Sequence, residues 1–231
     1  MATPAVHQLH LVTEPPRGSR DLVGGIALAL DGGVDWVQLR DKAASALNLL
    51  AMARQLRGVA RQHGANLAVN DRLDVALAAP ADGVHLAAQS LPVADAVALA
   101  SSSQLLVGRS VHSLDEAIEA AREGADYVTF GHVFPTTTHP GLPPRGLAQL
   151  DEIVRAVDVP VLAIGGITVE NLEEVLATGC AGVAVISAIL SAADPYAAAA
   201  GLRRALDSSH HQPRIPWRQK PHATHHQPAT V

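Results

Sequence analysis

Residues able to handle anions and protons are concentrated in five short segments of the chain. The first, Gln38-Leu39-Arg40-Asp41-Lys42, would send Gln38, Arg40 and Lys42 to one side of an extended backbone. Arg grips phosphate or carboxylate through its planar fork and Lys as a point charge, so the trio suits an anionic ligand; a solvated basic loop is the plainer reading. The second segment, Asn70-Asp71-Arg72, puts an amide, a carboxylate and a guanidinium side by side. Asp71 there suits a Mg²⁺ ligand or a partner for Arg72, and Asn and Asp are also favoured helix N-caps.

The third segment opens with Gly131-His132 and runs through Pro135 into Thr136, Thr137 and Thr138. Neutral imidazole titrates at about 6.5, so His132 is a candidate general base, with a hydrogen-bonded structural histidine as its other role. His85 and His112 fit loop or core positions better. The fourth and fifth segments, Ile164-Gly165-Gly166-Ile167-Thr168 and Val185-Ile186-Ser187, each precede a helical stretch. Glycine lets backbone approach a ligand closely and helix starts present unpaired N–H groups, so Gly165, Gly166, Ile186 and Ser187 are candidate phosphate ligands. The chain has no Gly-x-Ser-x-Gly, His-Glu-x-x-His, Cys cluster or Walker loop, which disfavours covalent Ser or Cys chemistry. Cys180, the one cysteine, reads as a small buried hydrophobe.

Each of these segments ends a short β-rich run. Eight such runs recur: Leu9 to Thr13, Trp36 to Arg40, Leu67 to Asn70, Gly83 to Leu86, Leu105 to Ser110, Tyr127 to Val133, Val159 to Ile164 and Gly182 to Ile186. Between most of them lie stretches of helical period, including Ala46 to His63, Leu114 to Glu123 and Val169 to Thr178. Alternation of strand and helix implies parallel pairing, and eight repeats is the number that closes a (β/α)₈ TIM barrel. The runner-up, an open doubly wound sheet, would normally show a Gly-rich turn after its first strand, where this chain has Glu14-Pro15-Pro16. In a barrel the five segments would converge at the carboxyl ends of the strands, the catalytic face.

Composition narrows the class further. Residues 1–207 read as a single barrel domain, and from Ser208 to Val231 the apolar period gives way to Pro, His, Gln and basic residues, which reads as a disordered tail. Its five histidines are irregularly spaced and make a poor metal tract. Aromatic residues are only 3% of the chain, so Val, Leu, Ile and Ala must build the core. A net charge of -5 without basic runs before the extreme C-terminus argues against nucleic acid or an anionic membrane as partner. No apolar stretch approaches the roughly 18 residues of a membrane span. The unpaired cysteine and the lack of a secretory pattern lead us to expect a cytoplasmic protein, and a homo-oligomer is compatible with the sequence.

The segments Gln-Leu-Arg-Asp-Lys (38–42), Asn-Asp-Arg (70–72), Ala-Asp-Gly-Val-His-Leu (81–86) and Ile-Gly-Gly-Ile (164–167) resemble the thiamine phosphate synthase superfamily, over most of residues 9–206. That superfamily has two branches, the synthase and the TenI-type thiazole tautomerase, sharing a barrel and a thiazole phosphate ligand. The synthase joins a pyrimidine pyrophosphate to thiazole phosphate with Mg²⁺ assisting departure of pyrophosphate. The resemblance implies that Asp71 would be the Mg²⁺ ligand on that branch, while Ser90 stands where a second Mg²⁺ carboxylate is usual. Lys42, Asp71, Thr136 and Thr138 resemble synthase residues. Gly131-His132, and the segment from Gly108 through Ser110 and His112 to Leu114, resemble the tautomerase.

Weighing Gly-His and Ser90 most heavily, we expect the tautomerase. It would aromatise a carboxythiazole phosphate, with His132 moving the proton and Gly165, Gly166, Ile186 and Ser187 on the phosphate. Gln38, Arg40, Lys42, Asn70, Ser110, Thr136 and Thr138 would contact the rest of the substrate, and no metal or other cofactor would be needed. The alternatives are the Mg²⁺-dependent synthase, a non-catalytic regulatory protein that binds thiazole phosphate, and a phosphosugar-type barrel isomerase.

Overall fold

The computed structural model describes residues 7–14, 21–136 and 141–217. Its strands are β1 (Gln8–Val12), β2 (Trp36–Leu39), β3 (Asn66–Asn70), β4 (Gly83–Leu86), β5 (Leu106–Val111), β6 (Tyr127–Gly131), β7 (Val161–Ile164) and β8 (Gly182–Val185). The helices between them are α1 (Leu22–Asp31), α2 (Ala46–Gln62), α3 (Leu73–Ala78), α4 (Val93–Ala100), α5 (Leu114–Arg122), α6 (Gly146–Ala156) and α7 (Leu172–Leu176), and α8 (Ser187–Leu190) and α9 (Pro195–Ser208) follow β8. All neighbouring strands pair in parallel, and β1 pairs with both β2 and β8. The sheet is therefore closed, which excludes the open doubly wound alternative and establishes the (β/α)₈ barrel.

The strands are buried on both faces, as expected of parallel strands wrapped in helices. Leu9, Leu11, Val37, Leu67, Val69, Val84, Val128 and Val183 are wholly inaccessible and meet apolar residues of the helical ring such as Ile26, Leu56, Leu150 and Val175. Three aspartates tie the amino ends of the barrel together. Asp35, Asp82 and Asp126 each stand one residue before an even-numbered strand. Each carboxylate accepts the backbone N–H of the preceding odd strand: Leu9 N to Asp35 (2.7 Å), Leu67 N to Asp82 (2.8 Å) and Val107 N to Asp126 (2.8 Å). Such charge-assisted bonds contribute about 1.5–3 kcal/mol each and fix the stagger of strand pairs at the end away from the site.

The C-terminal segment differs from the sequence expectation. Helix α9 extends to Ser208, and the chain beyond it lies against the barrel as far as Trp217. Arg214 donates its backbone N–H to Gly179 O (2.9 Å) and its guanidinium to Val154 O (2.8 Å). The Trp217 ring packs between the first residues of β2 and β6, Trp36 and Tyr127, with centroids 5.7 and 4.8 Å away. Helical period and composition could not register a docking made by one side chain and a few backbone bonds. The rest of the expected tail, residues 218–231, lies outside the described residues. Among the described residues, no helix is long and apolar enough to cross a membrane.

Candidate active site

The end of β2 is held by the end of β1. Thr13, buried just beyond β1, accepts the Arg40 N–H at 2.9 Å through its hydroxyl. Asp41 turns the other way and accepts from the N–H groups of Ala43 and Ala44, shaping the turn into α2. Gln38, Arg40 and Lys42 all line the cavity at the strand ends, so the alternation expected from sequence is realised.

At the end of β3, Asp71 adopts a left-handed backbone (φ 62°), a conformation that Asp tolerates better than most residues. It is not the side-chain cap of α3. Its carboxylate reaches across to the β4 loop, accepting from Ala87 N–H (2.9 Å) and from the Ser90 hydroxyl, and from the Asn70 amide (2.6 Å) on its other oxygen. Arg72 is not oriented by Asp71 either, since it pairs with Asp74 on the exposed start of α3 (Nε to Oδ1, 2.9 Å). Asn70 lines the cavity and holds Asp71 at its edge.

Polar groups continue down the barrel axis. His85 Nδ1 lies 3.1 Å from the Tyr127 hydroxyl and Nε2 lies 2.8 Å from Ser110 Oγ, which in turn lies 3.3 Å from Thr129 Oγ1. Burial pushes the His85 pKa down to about 4 and that of Tyr127 up, so both are neutral near pH 7. A neutral imidazole carries one N–H, so Tyr127, His85 and Ser110 form a chain of hydrogen bonds with one direction at a time. His10, below them in β1, is lowered to about 3 by burial, with His85 adding to the effect. His10, His85, Ser110 and Thr129 all line the same cavity.

At the end of β6, His132 is nearly buried (9% exposed) and also lines the cavity, with Nε2 donating to Leu142 O at 3.3 Å. The loop returns where Arg145 donates its backbone N–H to His132 O and its Nε to Gly131 O (2.9 and 3.0 Å). Thr136 lines the cavity, whereas Thr138 lies outside the described residues. His112 donates through Nδ1 to Gly131 O (2.9 Å) at the cavity wall.

The glycine pair after β7 has two uses. Gly165 and Gly166 line the cavity with φ of 99° and 67°. A Cβ on Gly165 would meet the His132 Cβ at 2.3 Å, and one on Gly166 the Pro135 carbonyl at 2.5 Å. Their bareness is thus demanded by the β6 loop as well as open to a ligand. Ile186 and Ser187, opening α8, complete this sector.

Every described site residue inferred from sequence except Asp71 therefore lines one cavity of about 900 Å³, near the top of the range for small-molecule sites. Cations gather at β2, while the glycine pair and Ser187 lie at β7 and β8. Sequence reasoning passed over His10, Thr129 and Arg145. His10 and Thr129 sit inside apolar runs, where only strand parity with Val12 or Ser110 could have marked them. Arg145 follows a loop and carries no motif.

The residues present can share a Mg²⁺ with a ligand phosphate but do not form a complete cage. An ionised carboxylate offers about four lone pairs and Asp71 commits three, leaving it one free position, and Ser90 supplies only a neutral oxygen. Among the described residues no three His, Cys, Asp or Glu side chains cluster as metal ligands. One carboxylate completed by substrate phosphates is an ordinary Mg²⁺ arrangement.

Fold and site together define a (β/α)₈-barrel enzyme with a largely apolar cavity at the carboxyl ends of its strands, into which a few charged and polar groups converge. The chain belongs to the thiamine monophosphate synthase family, whose model it matches over residues 9–189. It is 42% identical over 200 residues to the thiamine-phosphate synthase of Pyrococcus horikoshii, covering 87% of this chain and 95% of that one. Against the thiamine-phosphate synthase of Roseiflexus castenholzii it is 47% identical over 186 residues, covering 80% and 81%. The solved thiamine phosphate pyrophosphorylase of Pyrococcus furiosus superposes with a TM-score of 0.79 at 40% identity, covering 87% of this chain and 96% of that one.

These likenesses overturn the expected tautomerase. They extend over the whole barrel and carry the synthase name, whereas the tautomerase reading leaned on His132, Ser90 and the stretch after Gly108. His132 does face the cavity, but a cavity-facing imidazole bonded to Leu142 O fits a wall residue as well as a proton carrier.

Proposed function

We propose that the chain is a transferase that joins an aminopyrimidine-methyl pyrophosphate to a thiazole phosphate, releasing pyrophosphate and forming thiamine phosphate. One observation carries this reading: a single cavity has anion-binding groups in two separate sectors, Arg40 and Lys42 with nearby Asp71 at β2 and β3, and Gly165, Gly166, Ile186 and Ser187 at β7 and β8. A phosphosugar-type isomerase with one phosphorylated substrate needs only one such sector, and the carboxythiazole tautomerase is already set aside by the likenesses to thiamine-phosphate synthases. A transferase with two anionic substrates needs both, and enough volume between them.

In this reading Arg40 and Lys42 bind the pyrophosphate. Asp71 would hold a Mg²⁺, with Ser90 as neutral neighbour, and the ion would supply neutralisation of charge on the departing group. Gly165, Gly166, Ile186 and Ser187 bind the thiazole phosphate, with Thr136, Thr138 and His132 around it. Gln38, Asn70 and Ser110 face the ring heteroatoms, and the hydrogen-bond chain from Tyr127 through His85 keeps the Ser110 hydroxyl oriented. The thiazole nitrogen forms a bond to the pyrimidine methylene carbon as the carbon–oxygen bond to pyrophosphate breaks, and pyrophosphate leaves with the electron pair. Placing the two reactants together supplies much of the rate, since well-oriented pairs reach effective molarities of about 10⁵–10⁸ M.

The test is to supply both substrates with Mg²⁺ and follow products by mass spectrometry and ³¹P NMR. Thiamine phosphate and pyrophosphate should appear in equal amounts. Pyrophosphate release that proceeds equally without the thiazole phosphate, or no thiamine phosphate at all, would overturn the reading.

A further inference from the structure

The substrate cavity has a second end. His10 lines it from below, and the other side of His10 is covered by the aromatic cluster at the amino end of the barrel. Its ring stacks on Trp36 (centroids 5.6 Å, 17° between planes) and meets Trp217 edge-on at 4.9 Å. One imidazole thus separates the cavity from an indole supplied by the chain beyond α9.

The neighbouring strand starts leave room for that indole. Around the axis at this level Ala68, Gly83 and Ala181 contribute almost no side-chain volume, while Trp36, Tyr127, Leu106 and Leu162 stand at the edges. Trp217 packs against both halves of this ring and, with His10, joins them. The ring nitrogens His10 Nε2, Trp36 Nε1 and Trp217 Nε1 are buried without a hydrogen-bond partner among the described residues. Packing holds the cluster, so it depends on the shape of the indole.

We infer that Trp217 is a positioning residue that closes the rear of the substrate cavity through His10, so that water reaches the reacting carbon only from the mouth. This rests on the transferase reading, in which water competes with the thiazole for the activated methylene carbon. In that side reaction the oxygen of water bonds to the carbon, the carbon–oxygen bond to pyrophosphate breaks, and the water gives up a proton to solvent. The products are the pyrimidine alcohol and pyrophosphate. Excluding water from a reactive centre is a general requirement for such transfers. Trp217 also packs on Tyr127, whose hydroxyl bonds His85, so its loss would loosen the chain that reaches Ser110.

The sequence holds two tryptophans, so replacing Trp217 leaves Trp36 as the single indole reporter beside the seal. Trp217→Phe, Trp217→Leu and Trp217→Ala are made in the full chain, with folding checked by circular dichroism. Acrylamide quenching of Trp36 and the ratio of pyrimidine alcohol to thiamine phosphate are measured for each. Quenching and alcohol ratio should both rise several-fold from Phe to Ala, with Leu intermediate and the Phe variant keeping the wild-type product ratio. Should Ala not fold, the Leu and Phe pair carries the comparison. A folded Leu or Ala variant with Trp36 as shielded as in the Phe variant, and an unchanged product ratio, would overturn the proposal. Should the wild-type chain form no thiamine phosphate, the transferase reading fails, while Trp36 shielding still decides whether Trp217 closes the barrel.

Discussion

The Tyr127 hydroxyl lies 3.1 Å from His85 Nδ1, deep inside the barrel and beneath the substrate cavity. That contact links the buried start of β6 to Ser110 at the cavity wall, because the other nitrogen of His85 lies 2.8 Å from Ser110 Oγ. Burial at this depth opposes a charge on the imidazole and keeps it neutral near pH 7.

Stability should therefore fall in mild acid. Folding lowers His10 to about 3 and His85 to about 4 from 6.5, so the unfolded chain takes up protons that the folded chain refuses. The two contribute no penalty above about pH 7 and cost about 1.4 kcal/mol per histidine per pH unit as pH falls from 6.5 towards 4. Urea unfolding at pH 7 and pH 5 should differ by about 3–4 kcal/mol from this source. His10→Phe keeps a ring and removes one titration, and should roughly halve that difference. An equally steep loss in the variant would contradict the assignment.

Gly165→Ala should damage both fold and ligand binding. The new methyl would meet the His132 Cβ at 2.3 Å on a backbone with φ of 99°. Crowding of this kind costs about 1–3 kcal/mol, and the positive φ adds to it. A urea midpoint unchanged from wild type would show that the β6 loop does not press on this residue.

The two anion sectors should separate kinetically. Removing a charged hydrogen-bond donor costs about 1.5–3 kcal/mol, or roughly tenfold to 150-fold. Arg40→Ala and Lys42→Ala should raise KM for the pyrimidine pyrophosphate on that scale and leave KM for the thiazole phosphate nearly unchanged. Ser187→Ala should do the reverse with a smaller effect, since its donor is neutral. Equal effects of every variant on both substrates would argue against separate sectors.

Ser90→Asp would place a second carboxylate beside Asp71. Without metal the like charges should lower stability. In the presence of inorganic pyrophosphate, Mn²⁺ binding followed by electron paramagnetic resonance should tighten about tenfold, equivalent to 1.4 kcal/mol. Unchanged Mn²⁺ affinity would place the metal away from Asp71.

The barrel was legible because each strand is a short apolar run bounded by turn residues. Gly83–Leu86 matches β4 end to end, and the other strand ends fall within two residues of their runs. Alternation correctly grouped Gln38, Arg40 and Lys42, because strand parity is a local property. The Trp217 seal was not legible, since Ile215 and Trp217 among prolines have no period and their partners lie far away in sequence. An isolated Trp in a polar tail was the one available signal. Asp71 was read as a metal ligand, a partner for Arg72 or a cap, and its bonds to Ala87 and Ser90 arise only when the β3 and β4 loops meet. The branch is misread from sequence because Gly131-His132, Ser90 and the stretch after Gly108 outweigh Lys42, Asp71, Thr136 and Thr138 there.

In the transferase reading one cavity holds two anionic ligands at once. Isothermal titration of thiazole phosphate into the protein, alone and saturated with Mg²⁺ and inorganic pyrophosphate, tests it directly. One site for each ligand is expected, with thiazole phosphate binding that persists, unchanged or stronger, when pyrophosphate is in place. Mutually exclusive binding, with pyrophosphate displacing thiazole phosphate from a common site, would contradict it.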